Sequence, residues 1–549
     1  MAVSTRDSTR RLRHAARLSL LACLACGLAL LAPYRATAQN PHGFIDSGTV
    51  TFVTDQSPSD IDPANNEVAG SDVVARSVAE PLVAPDGSSI TRFKPVLATS
   101  WKTNKNQSVW TFYLRRGVKF HTGRCCLTAD DVKYSLARTM LAGLTNSFGL
   151  ARFMSNPNKQ IKIVNSYTVE FDLNGSQPLF IDQLSSLYMS LILDAQALRK
   201  HEKIVNGKSD YSRPWAEFQD LGTGPYMIQN WQHGQQVTMV RFPDYWGGWN
   251  GRHFSKVVMQ TVPEITTRRE LVEKGQADLT FHLNPQDYVA LSKNPAVKVV
   301  APYGTEVEYI YMTEAGPLAS KYARQALSYA FNYDAMIKGI LKGYARRAYG
   351  CLPSTMLGYD PNVFHYNTDL NKARQLLQKA GVKPGTVLTY YYADPYGPDG
   401  QILQAQLAQL GITLKLQKLD EAPYQTVLYS NGDPNKRPNL MAWGWWPDFN
   451  DPYDECNILL NSASAGASGA NAGYYHNSQV DAILNKMKTA GGETLISLAH
   501  QLQEVNAEDP SAIWVDEPAQ ATVLAKNLQG YVFNPVELQT YDFYSMYRS

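Results

Sequence analysis

Trp110-Thr111-Phe112-Tyr113-Leu114-Arg115-Arg116-Gly117-Val118-Lys119-Phe120-His121-Thr122-Gly123, followed by Leu127-Thr128-Ala129-Asp130-Asp131-Val132, is the stretch from which the rest of the chain is read. Trp110, Phe112 and Leu114 alternate with Thr111 and Tyr113, the period of a strand with one buried face. Arg115 to Gly123 carries the chain through a turn into a second strand. Thr128 and Asp131 have the spacing of a capping box, which predicts a helix running to about Met140.

Outward from that stretch, strands and helices alternate. Gly48 to Thr54, Tyr167 to Leu173, Val237 to Phe242, Val387 to Tyr391 and Thr413 to Gln417 have strand patterning. Ser71 to Glu80, Arg324 to about Leu341, Asp369 to Ala380 and Gln401 to Leu410 have helical spacing. Gly222-Thr223-Gly224-Pro225-Tyr226 and Asp244-Tyr245-Trp246-Gly247-Gly248 are turn-forming clusters. The pattern is mixed α/β without an internal repeat, and 549 residues exceed one ordinary core, so at least two lobes are expected.

Residues 1–38 have the form of a secretory signal: a basic start containing Arg6, Arg10, Arg11, Arg13 and Arg17, an apolar run from Leu18 to Ala32, and Ala36-Thr37-Ala38 before the expected first mature residue, Gln39. Cys23 and Cys26 lie inside the apolar run, which favours a cleaved signal over a lipid anchor. That segment takes six of the 51 basic and one of the 49 acidic side chains, leaving 45 against 48. No basic stripe remains for nucleic acid, and no later segment is apolar enough to span a bilayer. Four cysteines follow: Cys125, Cys126, Cys351 and Cys456. A bridge between adjacent residues strains the peptide joining them, so one of the vicinal pair is expected to reach a distant partner; which one stays open.

Two further stretches stand out. Trp443-Gly444-Trp445-Trp446-Pro447-Asp448-Phe449-Asn450-Asp451-Pro452 sets indole faces beside carboxylates in a segment too rich in Gly and Pro for a helix, a composition suited to a binding loop or to a capped aromatic core. Asn461 to Gly473 is a run of Ser, Ala, Gly and Asn, which predicts a mobile surface loop. Catalytic signatures are not found. His201-Glu202 lacks the second histidine of a zinc helix, and Gly466-Ala467-Ser468-Gly469 has the wrong spacing for a nucleophile elbow. Gly222-Thr223-Gly224 lacks a third glycine, and no Cys-x-x-Cys follows residue 38.

Together the opening stretch, Glu80-Pro81-Leu82-Val83, Leu97-Ala98-Thr99-Ser100-Trp101, Gly222 to Tyr226, Asp244 to Gly248, Arg324 to Ala330 and Ala373 to Gly381 resemble the family-5 solute-binding proteins of ABC importers, the group of dipeptide-, oligopeptide- and nickel-binding proteins. The resemblance spans the chain beyond residue 38 in order. It implies an α/β, two-lobed periplasmic-binding-protein fold with an extra subdomain in the N-terminal lobe and a ligand cleft between lobes. Lobe I would comprise residues 46–84, 213–305 and 517–549, the subdomain 85–212, and lobe II 306–516. Trp110, Phe112, Gly117, Val118, Gly222, Gly224 and Pro225 would have structural roles.

The resemblance places Asp448 where peptide-binding members hold the ligand's ammonium, next to Phe449, with Trp443, Trp445 and Trp446 available to line the pocket. Strand alternation puts Trp443 and Trp445 on one face and Trp446 on the other. The loop Pro395-Tyr396-Gly397-Pro398-Asp399-Gly400 resembles the one that precedes a carboxylate-binding arginine in dipeptide binders, but Gln401 stands there, and a neutral amide does not replace a guanidinium. The expectation is a monomeric periplasmic binding protein without catalysis, cofactor, metal or nucleic-acid partner, capturing a peptide-like or other small organic solute for an inner-membrane ABC permease. The alternatives are a ligand-sensing subunit for a membrane receptor and an extracytoplasmic hydrolase.

Overall fold

Trp110, Phe112 and Leu114 are buried and the residues between them are not, as the alternation requires. They lie in the central region of a four-stranded antiparallel sheet, ordered Ala98–Thr103, Val109–Leu114, Thr168–Asp172, Ile161–Asn165. The helix Ala129–Leu141 begins at Thr128, whose backbone N–H donates to Asp131 Oδ2 at 2.9 Å. The computed structural model describes residues 43–549 except 66–68, 144, 145, 188, 448 and 539. The expected signal peptide, with Cys23 and Cys26, lies outside the described residues.

Two larger sheets organise the unit Ile45–Ser549. The first has the order Tyr226–Gln232, Gln236–Arg241, Lys256–Thr261, Thr49–Thr54, Leu279–Phe281, Thr522–Ala525, Val297–Val300. Thr49–Thr54 runs parallel to both of its neighbours. The second has the order Ala345–Arg347, Ala512–Pro518, Val307–Met312, Leu440–Trp445, Val387–Tyr392, Thr413–Lys418. Each sheet forms the centre of one lobe, and the four-stranded sheet belongs to a smaller domain inserted in the first. The chain passes between lobes after Val300 and again after Pro518. These crossings are tied together: Gln520 N–H donates to the Pro302 carbonyl at 2.7 Å, and Gln520 Nε2 donates to Glu306 Oε2 at 2.7 Å.

Several sequence motifs meet at one buried carboxylate. Glu80 accepts hydrogen bonds from Thr223 Oγ1 (2.8 Å), Tyr245 Oη (2.9 Å) and Trp246 Nε1 (2.8 Å). His121 contacts the same turn, with Nδ1 2.6 Å from Asp220 and Nε2 2.9 Å from the Gly224 carbonyl. A methyl group at Gly222 would overlap the Val78 carbonyl, and one at Gly224 would lie 2.6 Å from the Ser77 oxygen. These glycines are present because backbone approaches backbone.

Three expectations are corrected. The helix expected from Arg324 to Leu341 ends at Ala330; Phe331 is extended, its carbonyl accepts the Thr368 hydroxyl at 2.6 Å, and Asn332 accepts the Ala335 N–H, starting a separate segment. The Asn461–Gly473 run is packed. Ala470 and Ala472 belong to the second lobe's core, and Asn471 bonds the Asn461 and Tyr475 carbonyls at 3.1 and 2.8 Å. The disulfide joins the neighbours Cys125 and Cys126, whereas Cys351 and Cys456 are buried thiols in one core.

Replacing Glu80 by alanine strands three buried donors. Glu80→Ala is expected to cost about 3 kcal/mol or more of stability, read as a lower Tm. Glu80→Gln, which keeps an acceptor oxygen, should lose less; equal losses would place the stabilisation in packing instead of hydrogen bonding.

Candidate functional site

The strand Leu440–Trp445 ends at the side of its sheet where the chain crosses to the other lobe. Trp443 pairs in register with Tyr309, and Trp445 with Val307. Both indoles are half-buried and pack against the second lobe's core. Trp443 lies 6.2 Å from the Tyr396 ring and 6.0 Å from Tyr424, centroid to centroid. Among the described residues the Trp445 indole N–H has no partner. Trp446 is 44 % exposed and does not share that packing. Asp448, the residue aligned with an ammonium-binding position, lies outside the described residues.

The next three residues clasp the lobes. Phe449 is 2 % exposed and buried in the core of the small domain, 6.0 Å from Phe153. Asn450 donates to the Ile90 carbonyl at 3.0 Å and accepts from Leu357 N–H at 3.0 Å, so one amide holds both lobes. Asp451 pairs with Arg152 of the small domain and caps the helix Pro452–Leu460 through the Tyr453 N–H at 2.9 Å. The expected binding stretch is thus divided: its tryptophans line the second lobe's end, while Phe449 serves packing between domains.

On the other face of the same sheet stands a group that motif reasoning missed. Glu308 is directly opposite Gly444 on one side and Asp516 on the other. A Cβ built on Gly444 would lie 3.0 Å from the Tyr396 hydroxyl, 3.5 Å from Glu306 Oε1 and 3.6 Å from Glu308 Cγ. The missing side chain therefore lets these groups approach one another closely. Asp399 is buried in the first turn of the helix Gly397–Ala408, while Gln401 is exposed two positions on, a different face of that helix. A usable signal was present: Glu308 and Asp516-Glu517 interrupt otherwise apolar strands.

Electrostatically the group is unbalanced. Asp516 is 0 % exposed, and neither carboxylate oxygen has a hydrogen-bond partner among the described residues. Burial, then the charges of Asp399, Glu306 and Glu517, raises its pKa well above the ordinary value. Burial, then Asp516, Glu306 and Asp399, does the same to Glu308. Burial pushes Asp399 up to about 7. Across the crossing, His282 faces Glu306 and is itself engaged with Asp55 at 3.1 Å. Among the described residues, no set of three or more His, Cys, Asp or Glu side chains is placed to hold a metal ion.

Comparison with known proteins gives one consistent answer. The profile of the bacterial extracellular solute-binding proteins, family 5 Middle, matches residues 92–467. A probable D,D-dipeptide-binding periplasmic protein of Escherichia coli K12 is 30% identical over 455 residues, covering 82% of this chain and 84% of the relative. Heme-binding protein A of Haemophilus influenzae is 28% identical over 527 residues, covering 91% and 93%. Among solved structures, a periplasmic binding protein of Helicobacter pylori in complex with the peptide STSA superposes with a TM-score of 0.76 at 25% identity, covering 91% of this chain and 98% of that one.

The carboxyl group sets a pH dependence. A carboxyl whose pKa rises on folding keeps its proton where the unfolded chain, with carboxyl pKa values near about 4, has already released it. Stability of the solute-free protein should therefore fall as pH rises from about 4 through 7 and above. Asp516→Asn should raise Tm at pH 8 and flatten the slope between pH 5 and 8. An unchanged slope in thermal melts would assign the dependence to other groups.

Proposed function

The chain belongs to family 5 of the bacterial extracellular solute-binding proteins, and on that premise we propose that it is the periplasmic binding component of an ABC importer, enclosing a peptide-like solute between its lobes. The observation that carries the mechanism is the clasp from Phe449 to Asp451, which joins the second lobe to the small domain of the first. A solute touching both lobes favours this closed arrangement by its differential affinity, and an inner-membrane permease recognises that form. No bond is made or broken; the protein acts as a monomer by enclosure.

In this reading Asp448 pairs with the solute's ammonium, because an engulfed cation left unpaired is too costly to bury. Trp443 and Trp445 supply apolar walls and faces that attract a cation. Tyr396 brings a hydroxyl to the same end of the sheet. Peptide-binding relatives from Escherichia coli and the peptide complex from Helicobacter pylori support a solute of this kind.

Asp448→Ala should abolish calorimetric binding of amine-bearing solutes while leaving the Tm of the solute-free protein within a degree or two, and the variant should no longer stimulate ATP hydrolysis by the reconstituted permease. A collapse of the solute-free Tm would make Asp448 a structural cap. Arg152→Ala touches no solute but weakens the clasp, leaving Asp451 unpaired only when the lobes are closed. A loss of affinity of about ten-fold or more is expected, with small-angle scattering showing a more open solute-free protein.

A further inference from the structure

Resting on the solute-binding reading above, we propose that the acidic chamber formed by Glu306, Glu308, Asp399 and Asp516 receives a second cationic group of the solute, an ammonium or guanidinium. The chamber is built on three elements. Glu308 and Asp516 are directly opposed on neighbouring strands, an arrangement of like charges that destabilises a sheet unless something lies between them. Asp399 comes from the helix that starts beside Tyr396, and Glu306 from the crossing between lobes. Gly444 lets these groups come together, since a Cβ there would lie 3.0 Å from the Tyr396 hydroxyl and 3.5 and 3.6 Å from the two glutamates.

Among the described residues the basic group that faces the four is His282, beside Glu306, and it is engaged with Asp55 at 3.1 Å. Among the described residues no Lys or Arg forms an ion pair with any of the four; Arg347, opposite Asp516 in the sheet, lies over the Tyr333 ring and donates to the Tyr366 carbonyl, and Arg346 is held by Glu517 at 2.7 Å. Glu306 accepts a hydrogen bond from the neutral amide of Gln520. Asp516, fully buried with both oxygens unpartnered, is the independent sign of a missing ligand, because buried carboxylates without partners are rare. The four groups come from two central strands, a helix start and the crossing, and among the described residues they are not placed as metal ligands, which suits an organic cation. The same field repels a carboxylate, so the free end of a simple neutral dipeptide is a poor occupant. A peptide with an arginine or lysine side chain matches the chamber.

Cation binding also reverses the two causes that raise the carboxyl pKa values, burial without a partner and mutual repulsion. Protons held by Glu308 and Asp516 should leave as the solute enters. The test is isothermal titration of the solute-free protein with Ala-Arg, Ala-Ala, Ala-Glu and agmatine, each in two buffers of different ionisation enthalpy. Ala-Arg should bind at least 10-fold tighter than Ala-Ala and 100-fold tighter than Ala-Glu, with proton release. Asp516→Asn should erase most of that preference, read as the ratio of Ala-Arg to Ala-Ala affinity; Glu308→Gln serves if that variant does not fold. Equal affinity for Ala-Glu and Ala-Arg, or a preference that survives both substitutions, overturns the chamber and leaves peptide binding standing. Binding of agmatine but of no peptide keeps the chamber and overturns the peptide-like reading. Silence from all four overturns the chamber, and native mass spectrometry of freshly purified protein then decides separately whether any solute is carried.

Discussion

The chain has to pass between its lobes, and the two described crossings, around 301–306 and 518–521, are bonded to one another. That constraint places everything else. Because the crossings are joined, the strand ends that feed them are held close together. Glu306 lies in the first crossing, and Glu308 and Asp516 lie on the strands that feed both. The four carboxyls therefore lie beside the crossings, whereas Phe449, Asn450 and Asp451 make their contacts with the small domain, so the two groups are open to separate measurement.

The fold was legible where one face of an element meets water. Val109–Leu114 shows its alternation because Thr111 and Tyr113 look outward. The glycine and acidic signatures were legible as a pattern but not as a contact. Nothing in sequence says that Glu80, Thr223, Tyr245 and Trp246 meet, although each sits in a motif. Composition misled at Asn461–Gly473: small residues suggested disorder, but a single amide, Asn471, fixes the run against two carbonyls. The helix past Ala330 was over-extended because apolar spacing continues through Phe331 while the backbone does not.

The candidate site was half legible. The aromatic part announced itself locally, and alternation correctly separated Trp446 from Trp443 and Trp445. The acidic part could not be assembled from local pattern, since Glu308, Asp399 and Asp516 come from three distant segments and no one window shows that they meet. Gln401, where an arginine was sought, shares a helix start with Asp399. The helix turns Gln401 to solvent and presents Asp399, so that position adds negative charge where positive charge had been sought.

Phe449 belongs to one lobe by sequence and to the other lobe's hydrophobic core by position. Opening the cleft withdraws an aromatic ring from among Phe153 and its neighbours, so the open state carries a vacated socket as well as an empty binding site. Removing a ring of that size from an apolar interior costs on the order of 2–3 kcal/mol. The empty protein thus has its own tendency to shut, independent of any solute. Release is then not the mirror image of capture: opening the cleft means pulling a core side chain out of its seat as well as parting from the solute.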